Sequence, residues 1–262
     1  MNRKHLTVGA LGFAALLCFS SAAVSQPLSS FAVLGGSTVT NTDTPTIISG
    51  NLGVSPGSAV TGFPPGLVVG GTIHAADAVA AQAQSDLTAV YNSLASATCN
   101  TDLTGQDLGG MTLTPGVYCF STSAQLTGAL TLDAQGNPDA VFIFKIGSTL
   151  TTASAASVVL INNASSCGVF WQVGSSASLG TGTALAGSIV ALTSITLNTG
   201  ASVNGRVLAR NGGVTLDNNQ VTVCSGGPGF PSSLQAIPTL SEWAMMIMAG
   251  LMALFGLAAM RR

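Results

Sequence analysis

The stretch SITLNTGASVNGRVLARNGGVTLDNN, Ser194 to Asn219, states one short pattern twice. ITLN occupies Ile195 to Asn198 and VTLD occupies Val214 to Asp217, so Thr196 and Thr215 stand 19 residues apart, each between two apolar residues. Alternation of apolar and polar residues is typical of a half-buried β-strand. The stretch therefore predicts two strands of one repeating unit, each with a threonine on its outer face.

The same unit recurs through the central part of the chain. Successive hydroxyl positions are separated by 19, 20, 27, 18 and 19 residues, and the longest interval contains an insertion at Ile161 to Cys167. These positions are Thr112, Thr131, Thr151, Ser178, Thr196 and Thr215, preceded two residues earlier by Gly110, Ala129, Thr149, Ser176, Ser194 and Gly213. A glycine-rich period near 19 predicts a β-solenoid in which each coil stacks on the last. All six hydroxyls are expected to point outward on one wall, because residues two apart on a strand share a face.

A second set of strands and one helix complete the predicted body. GVYCF, AVFIFKI, GVFWQV, GSIVAL and GRVLA form another wall and supply most of the aromatic core. Between residues 75 and 97 the apolar residues recur every 3 or 4 positions, which predicts one amphipathic helix lying against the solenoid. The stripe comprises Ala76, Val79, Ala80, Ala83, Leu87, Val90 and Leu94, and His74 is expected to open the helix. Two segments before the helix, FAVLGGSTVTNT and TIISGNLGVSPG, predict further short strands.

The two ends of the chain are predicted to be targeting segments. Residues 1–25 have a basic start, an apolar stretch and small residues, the layout of a secretory signal peptide. Residues 26–225 form the solenoid domain, and residues 226–236 form a Gly/Pro/Ser linker. Residues 244–260 are apolar or small and are long enough for a short transmembrane helix, a separate C-terminal element. The arginines after them predict a cytoplasmic end and an exported body.

The few charges of the body exclude one class of partner. Residues 26–225 contain eight aspartates, three basic residues and no glutamate. Nucleic-acid binding requires a basic patch, so no nucleic-acid partner is expected. The outer surface must instead consist mainly of Thr, Ser, Asn, Gly and Ala.

Four cysteines remain after removal of the predicted signal peptide. In an oxidising compartment an even number of cysteines favours disulfides over a metal site, for which CxxC spacing is also missing. Cys99 and Cys119 are the favoured pair, and closing a loop of this size is expected to contribute about 3 kcal/mol in the chain-entropy model. Pairing of Cys167 with Cys224 requires a loop that folds back across the repeats. No metal and no cofactor are expected.

The order of several segments resembles the microbial ice-binding protein family. LGGSTVTNT, SGNLGVSP, IHAADAV, LTPGVYCF, VFIFKI, VFWQVGSSASLGT and NGRVLARNGGVTLDNN follow one another as they do in that family, over about Leu28 to Val223. The resemblance implies a mostly β fold, a discontinuous three-sided β-solenoid with a long helix packed alongside. IPTLSEW at Ile237 to Trp243, with the apolar run after it, is similar to an IPTL-type C-terminal sorting signal, which implies sorting machinery at the membrane as a partner.

The resemblance also implies a binding surface. The ice-contacting face of the family tends to carry Thr, then Ala or Gly, then any residue, then Thr or Asn in each coil. Thr193-Ser194-Ile195-Thr196 comes closest to this pattern. The predicted ice-binding residues are Thr112, Thr131, Thr149, Thr151, Ser176, Ser178, Thr193, Ser194, Thr196 and Thr215. Asp133 and Asp217 lie two positions beyond the hydroxyls and are expected to intrude on the same face.

Three functions remain in competition on the sequence. The first is an exported, monomeric, non-enzymatic ice-binding protein located at the cell surface or outside the cell. The second is a surface adhesin or scaffold, for which the threonines are ordinary outward residues of exposed strands. The third is a polysaccharide-acting enzyme, which needs paired carboxylates such as Asp102 with Asp107 or Asp133 with Asp139. Turn formation explains these aspartates more simply.

Overall fold

The computed structural model describes residues 27–42, 44–225 and 229–230. The strands in these residues form two sheets, one of fifteen strands and one of seven, and neighbouring strands are parallel. The signal peptide predicted at residues 1–25 and the membrane helix predicted at residues 244–260 lie outside the described residues. None of the helices in the described residues has the length and apolar character that spanning a bilayer requires. The predicted β-solenoid with one helix alongside is confirmed.

Each coil of the solenoid passes through three faces, which we call A, B and C in chain order. Face A contains β8 (Thr101–Asp102), β10 (Gly116–Phe120), β13 (Phe142–Ile146), β16 (Val169–Val173), the second halves of β18 (Ala184–Ala191) and β20 (Ser202–Ala209), β1 (Phe31–Gly35), β4 (Asn51–Val54) and β7 (Ile73–Ala75). Face B contains β11 (Ala124–Leu126), β14 (Leu150–Thr152), β17 (Ala177–Leu179), β19 (Ile195–Leu197), β21 (Val214–Leu216), β2 (Thr38–Asn41) and β5 (Ala59–Thr61). Face C contains β9 (Thr112–Leu113), β12 (Ala129–Asp133), β15 (Ser157–Ile161), the first halves of β18 and β20, β22 (Gln220–Thr222), β3 (Ile47–Ser49) and β6 (Leu67–Val69).

The N-terminal strands extend the far end of the solenoid. On face A, β1 pairs with β20, on face B β2 pairs with β21, and on face C β3 pairs with β22. Residues 31–75 therefore form the coils that follow residue 222 in space, although they come first in the chain. The helix α1 (Ala78–Ser96) then runs back along face A to the first coil, which begins at Thr101.

The helix begins and packs as its sequence requires. Asp77 is its N-cap, and the carboxylate accepts a hydrogen bond of 2.8 Å from the amide of Ala80. The prediction that His74 opens the helix is wrong, because His74 lies in β7. Its Nδ1 is 2.7 Å from a carboxylate oxygen of Asp77. Ala76 is exposed with a φ of 53°, which removes it from the predicted stripe. The buried side chains of α1 are Ala80, Ala83, Leu87, Val90, Tyr91 and Leu94, packed against apolar residues of face A.

Phe142, Phe144 and Trp171 lie in the core between the three faces, as the sequence predicts, whereas Phe31 and Phe170 pack between face A and α1. The rings of Phe144 and Trp171 stack with centroids 4.0 Å apart on adjacent coils. The indole Nε1 of Trp171 donates a hydrogen bond of 3.0 Å to the carbonyl of Ala186, so its polar atom is satisfied in the interior. The inward residues of each strand are almost all apolar and buried.

Two long loops between strands lie at the corner where face C meets face A. Residues 134–141 connect β12 to β13, and residues 162–168 connect β15 to β16. The sequence predicts only the second of these insertions. In the next two coils the corner has no loop, because β18 and β20 bend directly from face C to face A at Gly187 and Gly205, with φ values of 110° and 150°.

Gly205→Ala is expected to destabilise the protein by at least about 2 kcal/mol, because it combines a strained positive φ with a backbone clash. A Cβ at this position would lie 2.0 Å from the carbonyl oxygen of Gly187 in the preceding coil. Gly200→Ala is the matched control, since Gly200 also has a positive φ of 73° but no atom within 4 Å of the added carbon. Thermal unfolding of both variants measures the difference; equal losses would contradict the close packing of coils at this corner.

Both predicted disulfides are present. Cys99, which follows the helix, is bonded to Cys119 in β10. Cys167, in the loop of residues 162–168, is bonded to Cys224, which follows β22. The loop between β15 and β16 extends along the corner between faces C and A, where it contacts β18 and β20, and so brings Cys167 to Cys224, which follows the third strand beyond β15 on face C.

In the described residues, the two arginines of the body donate hydrogen bonds to carbonyl, hydroxyl and sulfur acceptors. Arg206 is 4% exposed and donates hydrogen bonds to the carbonyl of Ser29 from Nε and Nη2, at 3.1 and 2.8 Å. Burial lowers the pKa of Arg206 to about 10. Arg210 donates from Nε to the hydroxyl of Thr88 at 3.1 Å and lies over the ring of Tyr91. Both guanidinium groups therefore connect separate segments of the chain.

Candidate functional site

Face B is a continuous exposed wall of seven strands. Its register aligns the central outward residue of every strand in one row along the solenoid axis. In spatial order this row consists of Gln125, Thr151, Ser178, Thr196, Thr215, Thr40 and Thr61. Six of the seven side chains carry a hydroxyl group, and the inward neighbours on either side of them are mostly buried.

Two further rows of small polar residues flank this central row. The row two positions earlier in each strand consists of Ser123, Thr149, Ser176, Ser194, Gly213, Thr38 and Ala59. A corner row is fixed by backbone hydrogen bonds from each coil to the preceding one, and it contains Thr122, Ser148, Ser175, Thr193, Gly212 and Ser37. Within the described residues, face B therefore presents hydroxyls in three parallel rows.

Eight of the ten sequence-predicted site residues lie on face B. These are Thr149, Thr151, Ser176, Ser178, Thr193, Ser194, Thr196 and Thr215. Thr112 and Thr131 lie on face C instead, where Thr131 pairs with Thr112 on one side and with Val159 on the other. The prediction of one wall for all six aligned hydroxyls is wrong at these two positions.

The error has a simple geometric cause. The 20 residues from Thr131 to Thr151 match the length of one coil. They pass through only part of a coil, however, and the loop of residues 134–141 supplies the rest of the interval. The residue that stacks on Thr151 in the preceding coil is Gln125. Asp133 lies in β12 two residues after Thr131, so it is also on face C and, contrary to the prediction, does not intrude on face B.

Several residues of the face were not identified from the sequence. Thr38, Thr40 and Thr61 belong to it because the N-terminal strands stack on β21, a long-range pairing without a signal in the repeat spacing. The segment Ser37-Thr38-Val39-Thr40 repeats the pattern of Thr193-Ser194-Ile195-Thr196, and this local similarity was the available signal. Ser123 and Gln125 were not identified because, in their coil, the sequence repeat was aligned on the strand of face C.

Side chains of face B contact one another between coils. The hydroxyl of Thr61 donates to that of Thr40 at 3.2 Å, and the hydroxyl of Thr149 donates to that of Ser123 at 2.8 Å. Gly213 interrupts its row, but a Cβ there would lie 2.5 Å from Oγ1 of Thr38, so the neighbouring threonine already occupies the space. These contacts restrict the rotamers of the outward side chains and keep the surface regular.

Two carboxylates border the hydroxyl rows. Asp217 has a lowered pKa because the hydroxyls of Thr199 and Thr42 donate to it, Thr42 at 2.8 Å. Burial raises the pKa of Asp107, but hydrogen bonds from Gly109 and Thr127 outweigh it, so its pKa is also lowered. Both side chains are therefore anions held by their own neighbours at the edge of the face.

Two further carboxylates of the enzyme hypothesis, those of Asp102 and Asp133, accept hydrogen bonds from nearby backbone amides. Asp102 accepts a bond of 2.8 Å from the amide of Thr104, and Asp133 accepts one of 2.8 Å from the amide of Gln135. These are the turn contacts that the sequence interpretation assigns to them. Within the described residues, no group of three or more His, Cys, Asp or Glu side chains could hold a metal ion.

Faces A and C differ from face B in ways that matter for binding. The outer side of face A is covered by α1. Face C carries exposed large apolar side chains, among them Val159 at 42% exposure and Leu67 at 52%. It is also interrupted, because β15 pairs with β18 only between Ser157 and Ala184, and a groove opens beyond that pair. Face B thus combines continuity, exposure and hydroxyl content.

Comparison with known proteins identifies the family. Residues 33–222 match the family described as ice-binding-like, which covers the whole solenoid from β1 to β22. The chain belongs to the ice-binding-like family. Residues 235–262 match the IPTL-CTERM motif, which implies a sorting system and an exported or surface location.

Individual members of the ice-binding-like family agree with this assignment. The chain is 57% identical over 229 residues to an ice-binding protein of Nostoc sp. (strain HG1), an alignment that covers 85% of this chain and 83% of that protein. A solved ice-binding protein from an Antarctic biological consortium superimposes with a TM-score of 0.73 at 45% identity, over 76% of this chain and 89% of that chain. The ice-binding protein of the ascomycete Antarctomyces psychrotrophicus superimposes with a TM-score of 0.73 at 38% identity, over 76% and 97%.

Proposed function

We propose that this protein binds ice through face B and thereby inhibits the growth and recrystallisation of ice. The observation that carries the proposal is the unbroken register of seven strands, which places small hydroxyl residues in parallel rows on one exposed wall. Membership of the ice-binding-like family supports it. The proposed activity is adsorption to the ice surface, with no catalytic turnover.

The physical basis is the match between a rigid array and a crystal surface. Strands of adjacent coils are about 4.8 Å apart and same-side residues along a strand are about 6.7 Å apart, so the rows form a two-dimensional lattice of hydroxyl and methyl groups. Each hydroxyl can donate and accept hydrogen bonds and can hold a water molecule in place. One such contact is weak, but a preorganised array engages the ice surface with many contacts at once and loses little entropy on binding.

Face B is favoured over the other exposed face by its regularity. A crystal plane requires a flat partner, and the groove between β15 and β18 breaks the lattice of face C. Exposed Val159 replaces the hydroxyl in the coil where face C should continue the row of Thr112 and Thr131, and exposed Ile161 follows in the same strand. We therefore assign ice contact to the three rows of face B and exclude Thr112 and Thr131 from the binding site.

The targeting segments complete the proposal. Residues 1–25 act as a cleaved signal peptide, and the C-terminal helix at residues 244–260 transiently anchors the exported chain in the inner membrane until the sorting system acts. The mature protein functions as a monomer, since face B by itself carries the complete array. The alternative of a surface scaffold without ice activity shares these segments and differs in what the purified body does.

Purified residues 26–225 distinguish the two functions. At low micromolar concentration, the ice-binding function predicts faceted ice crystals and a gap between melting and freezing temperatures. Growth of unmodified round discs would favour the scaffold. Measurement by nanolitre osmometry requires no partner and therefore tests the body alone.

Ice activity is expected to be constant between about pH 5 and about pH 8, because the ionisable groups on the described part of face B do not change charge in this range. Asp107 and Asp217 have lowered pKa values and stay ionised throughout. Their contribution to stability is complete above the pKa of the unfolded chain and is lost as the pH falls through the lower folded value. A freezing hysteresis that changes severalfold between these limits would show that another titrating group takes part in binding.

A further inference from the structure

The C-terminal tether leaves the body at the edge opposite face B. In a three-sided coil the corner where face C meets face A is the one corner that does not border face B. β22, the last strand of the body, lies on face C and is followed by Cys224, whose disulfide to Cys167 fixes the chain to the loop at this corner. The path of the chain out of the solenoid is therefore covalently set on the side away from the hydroxyl rows.

A second contact holds the next described part of the tether on the same side. The centroid of the Phe230 ring lies 5.8 Å from that of Phe170, which projects from face A. The guanidinium carbon of Arg206 lies 5.2 Å from the centroid of the Phe230 ring. Arg206 also donates from Nη1 to the sulfur of Cys224 at 3.2 Å. A buried cation, an aromatic pair and a disulfide thus converge where the body ends and the linker begins.

Because the remaining linker is short, the exit point limits which face of the solenoid the sorting signal can reach. Six residues, 231–236, separate Phe230 from Ile237, where the IPTL segment starts, and the seven Cα–Cα steps between them reach at most about 25 Å when fully extended. One side of a coil spans about six residues, or about 20 Å. A linker that carried the signal round to face B would have to be almost fully stretched, at a large cost in conformational entropy.

We propose that, while its tail is attached to the cell, the protein is displayed with face B pointing outward, so that it holds the cell to ice. This inference rests on the proposed function and adds the partner on the opposite side, the cell envelope. The surface that binds ice and the point that binds the cell lie at opposite edges of one rigid solenoid. A protein that only inhibited ice growth in solution would place no requirement on where its tail emerges.

Two matched epitope insertions test the orientation on intact cells that express the full chain. One short epitope is inserted at Gly136, in the loop at the corner between faces C and A, and the other at Gly200, in the turn between faces B and C. Both glycines are exposed, have positive φ and have open space around them, so both sites accept an insertion. Antibody binding is measured on cells and on the purified body.

Antibody binding at Gly200 is expected to exceed binding at Gly136 several-fold on cells, with equal binding on the purified body. Cells carrying the unmodified chain are expected to be retained on an ice surface, and Thr196→Tyr is expected to abolish the retention. Equal access to both epitopes on cells, or better access at Gly136, would overturn the orientation even if the purified body shapes ice. A purified body without ice activity would instead overturn the proposed function, whatever the epitopes show.

Discussion

Thr196→Tyr is expected to lower the freezing hysteresis of the purified body at least about tenfold at equal concentration, because one protruding side chain lifts a multivalent surface off its target. Thr196 occupies the middle of the central row, between Ser178 and Thr215. Its inward neighbours Ile195 and Leu197 are buried, so the tyrosine points outward and leaves the core intact. Thr151→Tyr, in the same row, is expected to act in the same way.

Thr131→Tyr is the matched control for this prediction. Thr131 is also a partly exposed threonine between two buried leucines in a parallel strand, and the sequence repeat assigns it to the same row as Thr196. Because it lies on face C, its replacement is expected to leave hysteresis and crystal shape unchanged. All three variants should unfold at the temperature of the native protein. Equal losses for Thr131→Tyr and Thr196→Tyr would show that face B is not the specific ice-binding surface.

Removal of the bond between Cys167 and Cys224 is expected to have the largest effect on stability. This disulfide spans 57 residues, and in the chain-entropy model a loop of that size contributes about 4 kcal/mol. For a domain of this size the double variant Cys167→Ser, Cys224→Ser should therefore unfold about 8 to 16 °C below the native protein.

The second disulfide provides the comparison. Cys99 and Cys119 are separated by 20 residues, which corresponds to about 3 kcal/mol in the same model. The double variant Cys99→Ser, Cys119→Ser should therefore also unfold early, but by a smaller margin. Both shifts are measured by thermal unfolding without reductant. An unchanged midpoint for the variant at positions 167 and 224 would contradict the structural role assigned to the corner between faces C and A.

The fold was predictable because its determinants are local and repeated. Alternation around Thr196 and Thr215 fixes strands and their faces, and the spacing of Ala83, Leu87 and Val90 fixes the helix. The aromatic core around Trp171 follows from the same alternation. These features depend on residues that are close together in the chain.

The binding face was only partly predictable because it depends on how distant segments stack. A loop of residues 134–141 restores the interval of a coil by coincidence, and so the repeat alone assigns Thr131 to face B. The N-terminal strands extend that face through the pairing of Thr40 with Thr215, across most of the chain. The position of a loop within a coil and the stacking of distant segments depend on the three-dimensional arrangement. The spacing of sequence repeats does not reveal either of them.

Adsorption to a single ice crystal tests the central claim most directly. Fluorescently labelled body is allowed to coat an ice hemisphere during slow growth, for the native protein, Thr131→Tyr and Thr196→Tyr. The native protein and Thr131→Tyr are expected to coat the same crystal planes, whereas Thr196→Tyr is expected to leave the ice dark. A bright coat of Thr196→Tyr equal to that of the native protein would contradict the assignment of ice binding to face B.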